Sequence, residues 1–140
     1  MAKSVGNGRS VGRDRSVVIV DDSKFQTMQL GKFFSDVLEF HVAATGENGE
    51  EAVELYRKHK PDLITMDLTM PKLDGRGALS RIMAEFPDAR VLVISAVKGP
   101  LLLDCLTIGA KSYIEKPLRF DKEDFIRDFK ATIDEILPAR

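Results

Sequence analysis

Four short apolar runs each end in a residue suited to chemistry. Asp21 and Asp22 follow Val17–Val20, Asp67 follows Leu63–Met66, Ser95 follows Val91–Ile94, and Lys116 closes the run containing Tyr113 and Ile114. If the runs are strands of one parallel sheet, three carboxylates, a hydroxyl and an ammonium gather at its carboxyl edge. That is where α/β sheets bind ligands. Two like charges about 4 Å apart repel by roughly 4 kcal/mol at an effective dielectric near 20. Three clustered carboxylates are therefore costly, or shift their pKa values and hold protons. One lysine offsets one charge at most. A hard divalent cation with oxygen ligands resolves the remainder, and Mg²⁺, with few protein ligands and several waters, is the natural candidate. A carboxylate in such company is equipped to act as nucleophile and form an aspartyl-phosphate. Metal and lysine would neutralise the oxygens of the transferring group while the hydroxyl donates to one of them. Singly, these residues mean little: an Asp pair is equally suited to capping a helix.

The elements that must position them are legible in the spacing. The runs Val17–Val20, Leu63–Met66, Val91–Ile94 and Tyr113–Ile114 are rich in β-branched or aromatic residues and are flanked by turn or helix-start signals, which predicts buried parallel strands. Phe40–Ala44, with His41 inside it, predicts an edge strand. Five stretches between and after them have helical spacing. Phe25, Met28, Phe33, Phe34, Val37 and Leu38 line the first, and Ala52, Val53, Leu55 and Tyr56 the second, which ends before Pro61. Ala78, Leu79, Ile82, Met83 and Phe86 line the third, stopped at Pro87. The fourth runs from Pro100 to Ile108 with Gly109 as its C-terminal cap. Phe125, Ile126, Phe129, Ile133, Ile136 and Leu137 line the fifth. Such β-α alternation without repeat or linker predicts one α/β sandwich with a parallel sheet.

Residues 1–15 hold four basic residues and one acid, lack apolar periodicity, and are rich in Gly, Ser and Arg. They are expected to be a disordered tail, a polyanion-binding arm being the alternative. Over the whole chain, 21 basic residues face 22 acidic ones, a net charge of −1. That balance argues against nucleic acid as the main partner. No run approaches the ~20 apolar residues that span a bilayer, and no secretory signal is visible, so a cytoplasmic location is expected. The single cysteine, Cys105, excludes an internal disulfide and any multi-cysteine metal site.

Taken together, Asp21–Asp22, Asp67 within DLTMPKLDG, Ser95–Ala96 and Lys116–Pro117 resemble the motif set of response-regulator receiver domains. Met70, Pro71, Asp74 and Gly75 carry the match beyond Asp67, and the resemblance spans about residues 16–137. It implies a doubly wound, flavodoxin-like fold with five strands in the order 2-1-3-4-5 and five helices, over a domain of residues 16–140. By motif position Asp67 is expected to be the phosphate acceptor and itself a Mg²⁺ ligand, and Asp22 a direct one. Asp21 would be a water-mediated or second ligand, with the backbone carbonyl of Thr69 another. Ser95 and Lys116 would contact the phosphoryl oxygens, and Lys116–Pro117 would be a cis peptide. Tyr113 resembles the aromatic that turns inward when the Ser/Thr moves, a population shift biased by contacts to phosphate.

The resemblance implies a stand-alone phospho-switch of the chemotaxis or relay type. It would take its phosphoryl group from a histidine kinase or phosphotransfer protein, catalysing only its own phosphorylation and dephosphorylation. It would signal to a protein partner through helix four, strand five and helix five. Two departures stand out: the stretch Ser95–Gly109 is one residue shorter than is commonest, and Thr69 and Val97 offer no water-positioning amide or carboxylate. A non-phosphorylated pseudo-receiver adaptor is the first alternative. A Mg²⁺-dependent aspartyl-phosphate phosphatase is the second, but it expects an Asp where Thr69 stands. On helix four, Leu101, Leu102, Leu103, Cys105, Leu106, Ile108 and Ala110 cover roughly 220° of the circumference, wider than the ~100° stripe a surface helix needs. Some of this surface is expected to dock a partner or a second copy of the chain, deeper burial being the alternative. Cys105, Met28, Met66 and Met83 are read as core residues, and His41 and His59 are given no role.

Overall fold

The computed structural model describes residues 14–138. Strands β1 (Ser16–Val20), β2 (His41–Gly46), β3 (Leu63–Met66), β4 (Val91–Ser95) and β5 (Ser112–Glu115) form one sheet in the order β2-β1-β3-β4-β5, parallel throughout. Helices α1 (Lys24–Lys32), α2 (Gly49–His59), α3 (Gly75–Glu85), α4 (Pro100–Ile108) and α5 (Glu123–Ile136) alternate with them. The doubly wound order implied by the motif set is the order observed. Every residue of β3 and β4 is buried, as a sheet covered on both faces requires. Alternate side chains feed two cores. Val18, Val20, Ile64, Met66, Val91 and Val93 pack with residues of α2, α3 and α4, while Val17, Ile19, Leu63, Leu92 and Ile94 pack with residues of α1 and α5. No helix among the described residues is long and apolar enough to cross a membrane.

The helix starts follow from side-chain acceptors. Ser23 caps α1 by accepting from the Gln26 N–H, Asn48 caps α2 from Glu51, and Asp74 caps α3 from Gly77. The Asp21–Asp22 pair is therefore not the cap of α1. Helix α4 has no side-chain cap and starts on Pro100, which has no N–H to satisfy. Gly109 ends α4 at φ 142°, as its position predicts. Cys105 and Met66 are buried, and Met83 packs against the first core.

The first helix corrects the sequence reading. Its buried residues are Leu30, Phe33, Phe34 and Leu38, whereas Phe25, Met28 and Val37 are exposed. Leu30 marks the centre of the buried face, and at 100° per residue Phe25 and Met28 lie roughly 140–160° away from it. Met28 is thus no core filler. Val37 is displaced for a different reason: Phe33–Val37 form one π-helical turn after α1, in which Leu38 N–H donates to Phe33 O. The wider turn puts Leu38, five residues on, beneath Phe33 and turns Val37 outward. Strand β2 also starts one residue later than Phe40 and runs on to Gly46.

The chain before β1 differs from expectation in one residue. Residues 1–13 of the segment read as a tail lie outside the described residues. Arg15, counted with that tail, is buried, and its guanidinium donates to Leu137 O at 3.0 Å and to Pro138 O. A cation on the carbonyls just past α5 meets the negative end of that helix. The wide apolar surface of α4 is mostly absorbed by packing: Leu102 and Cys105 are buried, Leu101, Leu106 and Ile108 are half-buried, and only Leu103 stands exposed at 66%.

Candidate functional site

The sheet itself carries the site residues one step past each strand. Asp21 N–H donates to Gly46 O, Asp67 N–H to Val20 O, and Lys116 N–H to Ser95 O, each at 3.0 Å. These bonds continue the parallel ladders by one rung, so the positions of the three residues are set by strand register. The loop after Asp67 is held equally closely. Gly75 N–H donates to Leu68 O, and a Cβ on Gly75 would fall on the carbonyl oxygen of Asp67. A glycine is required there by close approach of two backbone segments. On the other side, an aromatic cluster fixes the loop that follows Lys116. Phe120 stacks on Phe33 with centroids 4.4 Å apart, and Phe125 and Phe129 pack edge-on or tilted around it. Lys116–Pro117 is cis, as the motif implies.

Asp21, Asp22 and Asp67 each place a carboxylate oxygen within 4.8 Å of the others. Lys116 Nζ lies 2.8 Å from Asp21 Oδ2 and 3.2 Å from Asp67 Oδ2. The side chains of Asp21, Asp67 and Lys116 are 2%, 8% and 13% exposed, whereas Asp22 faces solvent. The second oxygen of Asp21 accepts from the Ser23 N–H at 2.9 Å. Burial pushes the Asp21 carboxyl above the usual carboxylate value, outweighing the hydrogen bonds from Lys116 and Ser23 and the charge of Lys116. Burial likewise pulls on the Lys116 ammonium, but the hydrogen bond and charge of Asp21, with those of Asp67, hold its pKa above the ordinary one. Among the described residues, the site thus carries one cation for three carboxylates. An all-oxygen donor set with one solvent-facing member fits a hard divalent cation that keeps several waters.

The remaining expected residues lie at the rim. Ser95 is buried at the end of β4, its Oγ accepting from the Val97 N–H at 3.2 Å. Thr69 is exposed, and its N–H reaches Asp67 Oδ1 only at 3.5 Å. Val97 is half-buried. Tyr113 stands 40% exposed on β5, beside Phe125 and Thr132 of α5. The structure therefore joins Asp21, Asp22, Asp67 and Lys116 directly, keeps Ser95 one strand away, and leaves Tyr113 outside. The sequence reading passed over Phe120 and the backbone fit at Gly75. The aromatic at Phe120 lies five residues before the nearest recognised periodic stretch, which begins at Phe125, and the Asp74–Gly75 pair carried the only signal for the second.

Known proteins are similar to this chain in sequence and fold. The family model of the response regulator receiver domain matches residues 17–127. The chemotaxis protein CheY of Bacillus subtilis is 41% identical over 110 residues, covering 76% of this chain and 88% of that protein. CheY of Treponema pallidum is 43% identical over 110 residues, 76% of each chain. A chain of the CheX–CheY–BeF3–Mg²⁺ complex from Borrelia burgdorferi superposes with a TM-score of 0.79 at 40% identity, over 87% of this chain and 88% of that one. The response regulator domain of Thermotoga maritima CheB gives 0.78 at 31% identity, over 90% and 98%. With the strand order, the carboxylate cluster under a lysine and these relatives in agreement, the chain belongs to the response regulator receiver domain family.

Proposed function

We propose that this chain is a CheY-type phospho-switch whose acceptor is Asp67. The observation that carries the reading is the pairing of Asp67 Oδ2 with Lys116 Nζ at 3.2 Å inside a cluster of three carboxylates. Asp21, Asp22, Asp67 and the Thr69 carbonyl would hold a Mg²⁺ ion, which when bound offsets negative charge on the acceptor and the incoming phosphoryl oxygens. An Asp67 carboxylate oxygen attacks phosphorus, and the bond from phosphorus to the donor imidazole of a histidine kinase or phosphotransfer protein breaks. The electron pair leaves with the imidazole nitrogen. Lys116, freed in part from Asp67, contacts one phosphoryl oxygen by a charge-assisted hydrogen bond. Ser95 donates its hydroxyl proton to another.

Signalling follows from that last bond. Ser95 Oγ, which accepts from the Val97 N–H, would turn from it toward the phosphoryl group and draw the segment between β4 and α4 with it. Tyr113, now 40% exposed, would then turn inward, changing the surface of α4, β5 and α5 presented to a downstream protein. Similarity to chemotaxis CheY proteins supports that setting. Thr69 at the second position past the acceptor supplies no carboxylate for acid–base turnover of an external phosphate ester, which favours a switch over a phosphatase.

Incubation with acetyl phosphate and Mg²⁺ followed by intact mass tests the reading. One phosphoryl group should be added, and none in the presence of EDTA or in Asp67→Asn. Uptake by the Asn variant equal to the parent's would overturn the assignment.

A further inference from the structure

Residues 96–99 between β4 and α4 are held by the half-buried Val97 side chain against the first core, by the Leu102 N–H on Gly99 O, and by two polar contacts. One is the Val97 N–H to Ser95 Oγ bond. The other is an ion pair, Lys98 Nζ to Glu115 Oε2 at 3.4 Å. Ser95 and Glu115 are register partners across β4 and β5, and Lys116 N–H donates to Ser95 O. The pair therefore ties the segment to the strand end that delivers Lys116. At the far end of the segment Gly99 has φ 83° and ψ −146°, and no heavy atom lies within 4 Å of where its Cβ would be. The backbone has a glycine pivot there with room to turn.

These contacts are coupled by geometry. A turn of Ser95 Oγ toward a phosphoryl group on Asp67 would draw the acceptor away from the Val97 N–H and favour a shift of the segment. Lys98 rides on that segment, whereas Glu115 is fixed in the sheet. We propose that the Lys98–Glu115 ion pair is a latch that holds the segment in its present position, so that breaking it makes the phosphorylated conformation easier to reach. The proposal rests on the reading of Asp67 as phosphoacceptor. Both side chains are well exposed, at 74% and 46%, and pairs of this kind shift an equilibrium by about two- to fivefold, less at high salt. The latch thus sets the sensitivity of the switch and leaves its chemistry alone.

The test titrates the full chain with beryllofluoride and Mg²⁺, following the Tyr113 amide by NMR. Lys98→Gln should bind the phosphoryl mimic about two- to fivefold more tightly than the parent. Charge alone makes the opposite forecast, because the variant removes a cation near an anion. Glu115→Gln should also tighten binding, the doubly swapped Lys98→Glu/Glu115→Lys should return to the parent value, and high salt should close the gap between parent and Lys98→Gln. Binding by Lys98→Gln that equals or falls below the parent's overturns the latch, as does a swapped variant that stays tight. A parent that takes up no beryllofluoride fails differently: it removes the acceptor reading, and the latch falls with it.

Discussion

Replacing Lys116 by Met removes the one ammonium that the described residues bring to the carboxylate cluster while keeping the length of the side chain. At an effective dielectric near 20, contacts of 2.8 Å to Asp21 and 3.2 Å to Asp67 are worth roughly 6 and 5 kcal/mol of attraction. The three carboxylates, within 4.8 Å of one another, repel by about 3.5 kcal/mol per pair, less where Asp22 is hydrated. Attraction and repulsion therefore nearly cancel, and the lysine is what makes the cluster tolerable in the folded chain. Without it, a carboxyl group takes up a proton, which limits the loss. At about 1.36 kcal/mol per pKa unit, protonating one carboxyl of ordinary pKa near 4 costs about 4 kcal/mol at pH 7 and about 1.4 kcal/mol at pH 5. Lys116→Met should lose about 3–4 kcal/mol of stability at pH 7, the range seen when one member of a buried pair is removed, and about 1 kcal/mol at pH 5.

The sign of the pH effect follows from the two shifted groups. The raised pKa of Lys116 gives a contribution that is fully present below its unfolded pKa near 10.4 and is lost only as pH rises through the folded value, so it is constant from pH 5 to 7. The raised pKa of Asp21 means that the folded chain holds this proton more tightly than the unfolded one. Its contribution is present at low pH and is lost as pH rises through the folded value. The dependence between pH 5 and 7 therefore belongs to the carboxylates. The assay is urea unfolding followed by far-ultraviolet circular dichroism, since the chain has no Trp, at both pH values and with saturating Mg²⁺. Mg²⁺ should restore more stability to the variant than to the parent, because no resident ammonium competes with it. A variant as stable as the parent at pH 7, or a loss equal at pH 5 and 7, refutes this account of the cluster.

Three further outcomes are expected. Thr65, 1% exposed in β3, has a hydroxyl without a hydrogen-bond partner, so the isosteric Thr65→Val should gain about 1 kcal/mol in the same unfolding experiment, and a loss would mean that the hydroxyl is satisfied. Ser95→Ala should still accept phosphate but leave the Tyr113 amide shift unchanged on activation, and a parental shift would break the proposed coupling. Thr69 offers one short hydroxyl and Val97 none, so hydrolytic water is poorly held; Thr69→Asn with Val97→Glu should shorten the phosphate lifetime followed by phosphorus NMR, and an unchanged decay would remove these side chains as its determinants.

The parts of the fold that were legible are those in which local pattern and tertiary demand coincide. Leu63–Met66 is uniformly apolar because β3 is covered on both faces, and Gly109 ends α4 where only a glycine takes φ 142° comfortably. The first helix failed because its apolar residues lie on two faces: without Leu30 as centre, Phe25 and Met28 were indistinguishable from core. The π turn at Phe33–Val37 then broke the period on which the reading relied. Arg15 was grouped with its polar neighbours, since its partners, the carbonyls of Leu137 and Pro138, lie at the other end of the chain. In the site, strand ends brought Asp21, Asp22, Asp67 and Lys116 to one edge, but the partners of Lys116 Nζ depend on side-chain reach. Nor does any local pattern show that Ser95 Oγ is engaged by its own segment.

The central claim, that Asp67 carries the phosphoryl group, is tested most directly by chemical trapping. The chain is phosphorylated with acetyl phosphate and Mg²⁺, reduced with borohydride, which converts an aspartyl-phosphate to homoserine, and mapped by peptide mass spectrometry. The account predicts homoserine at position 67 and at no other aspartate. Conversion at position 21 or 22, or none in protein that has gained the phosphoryl mass, would contradict it.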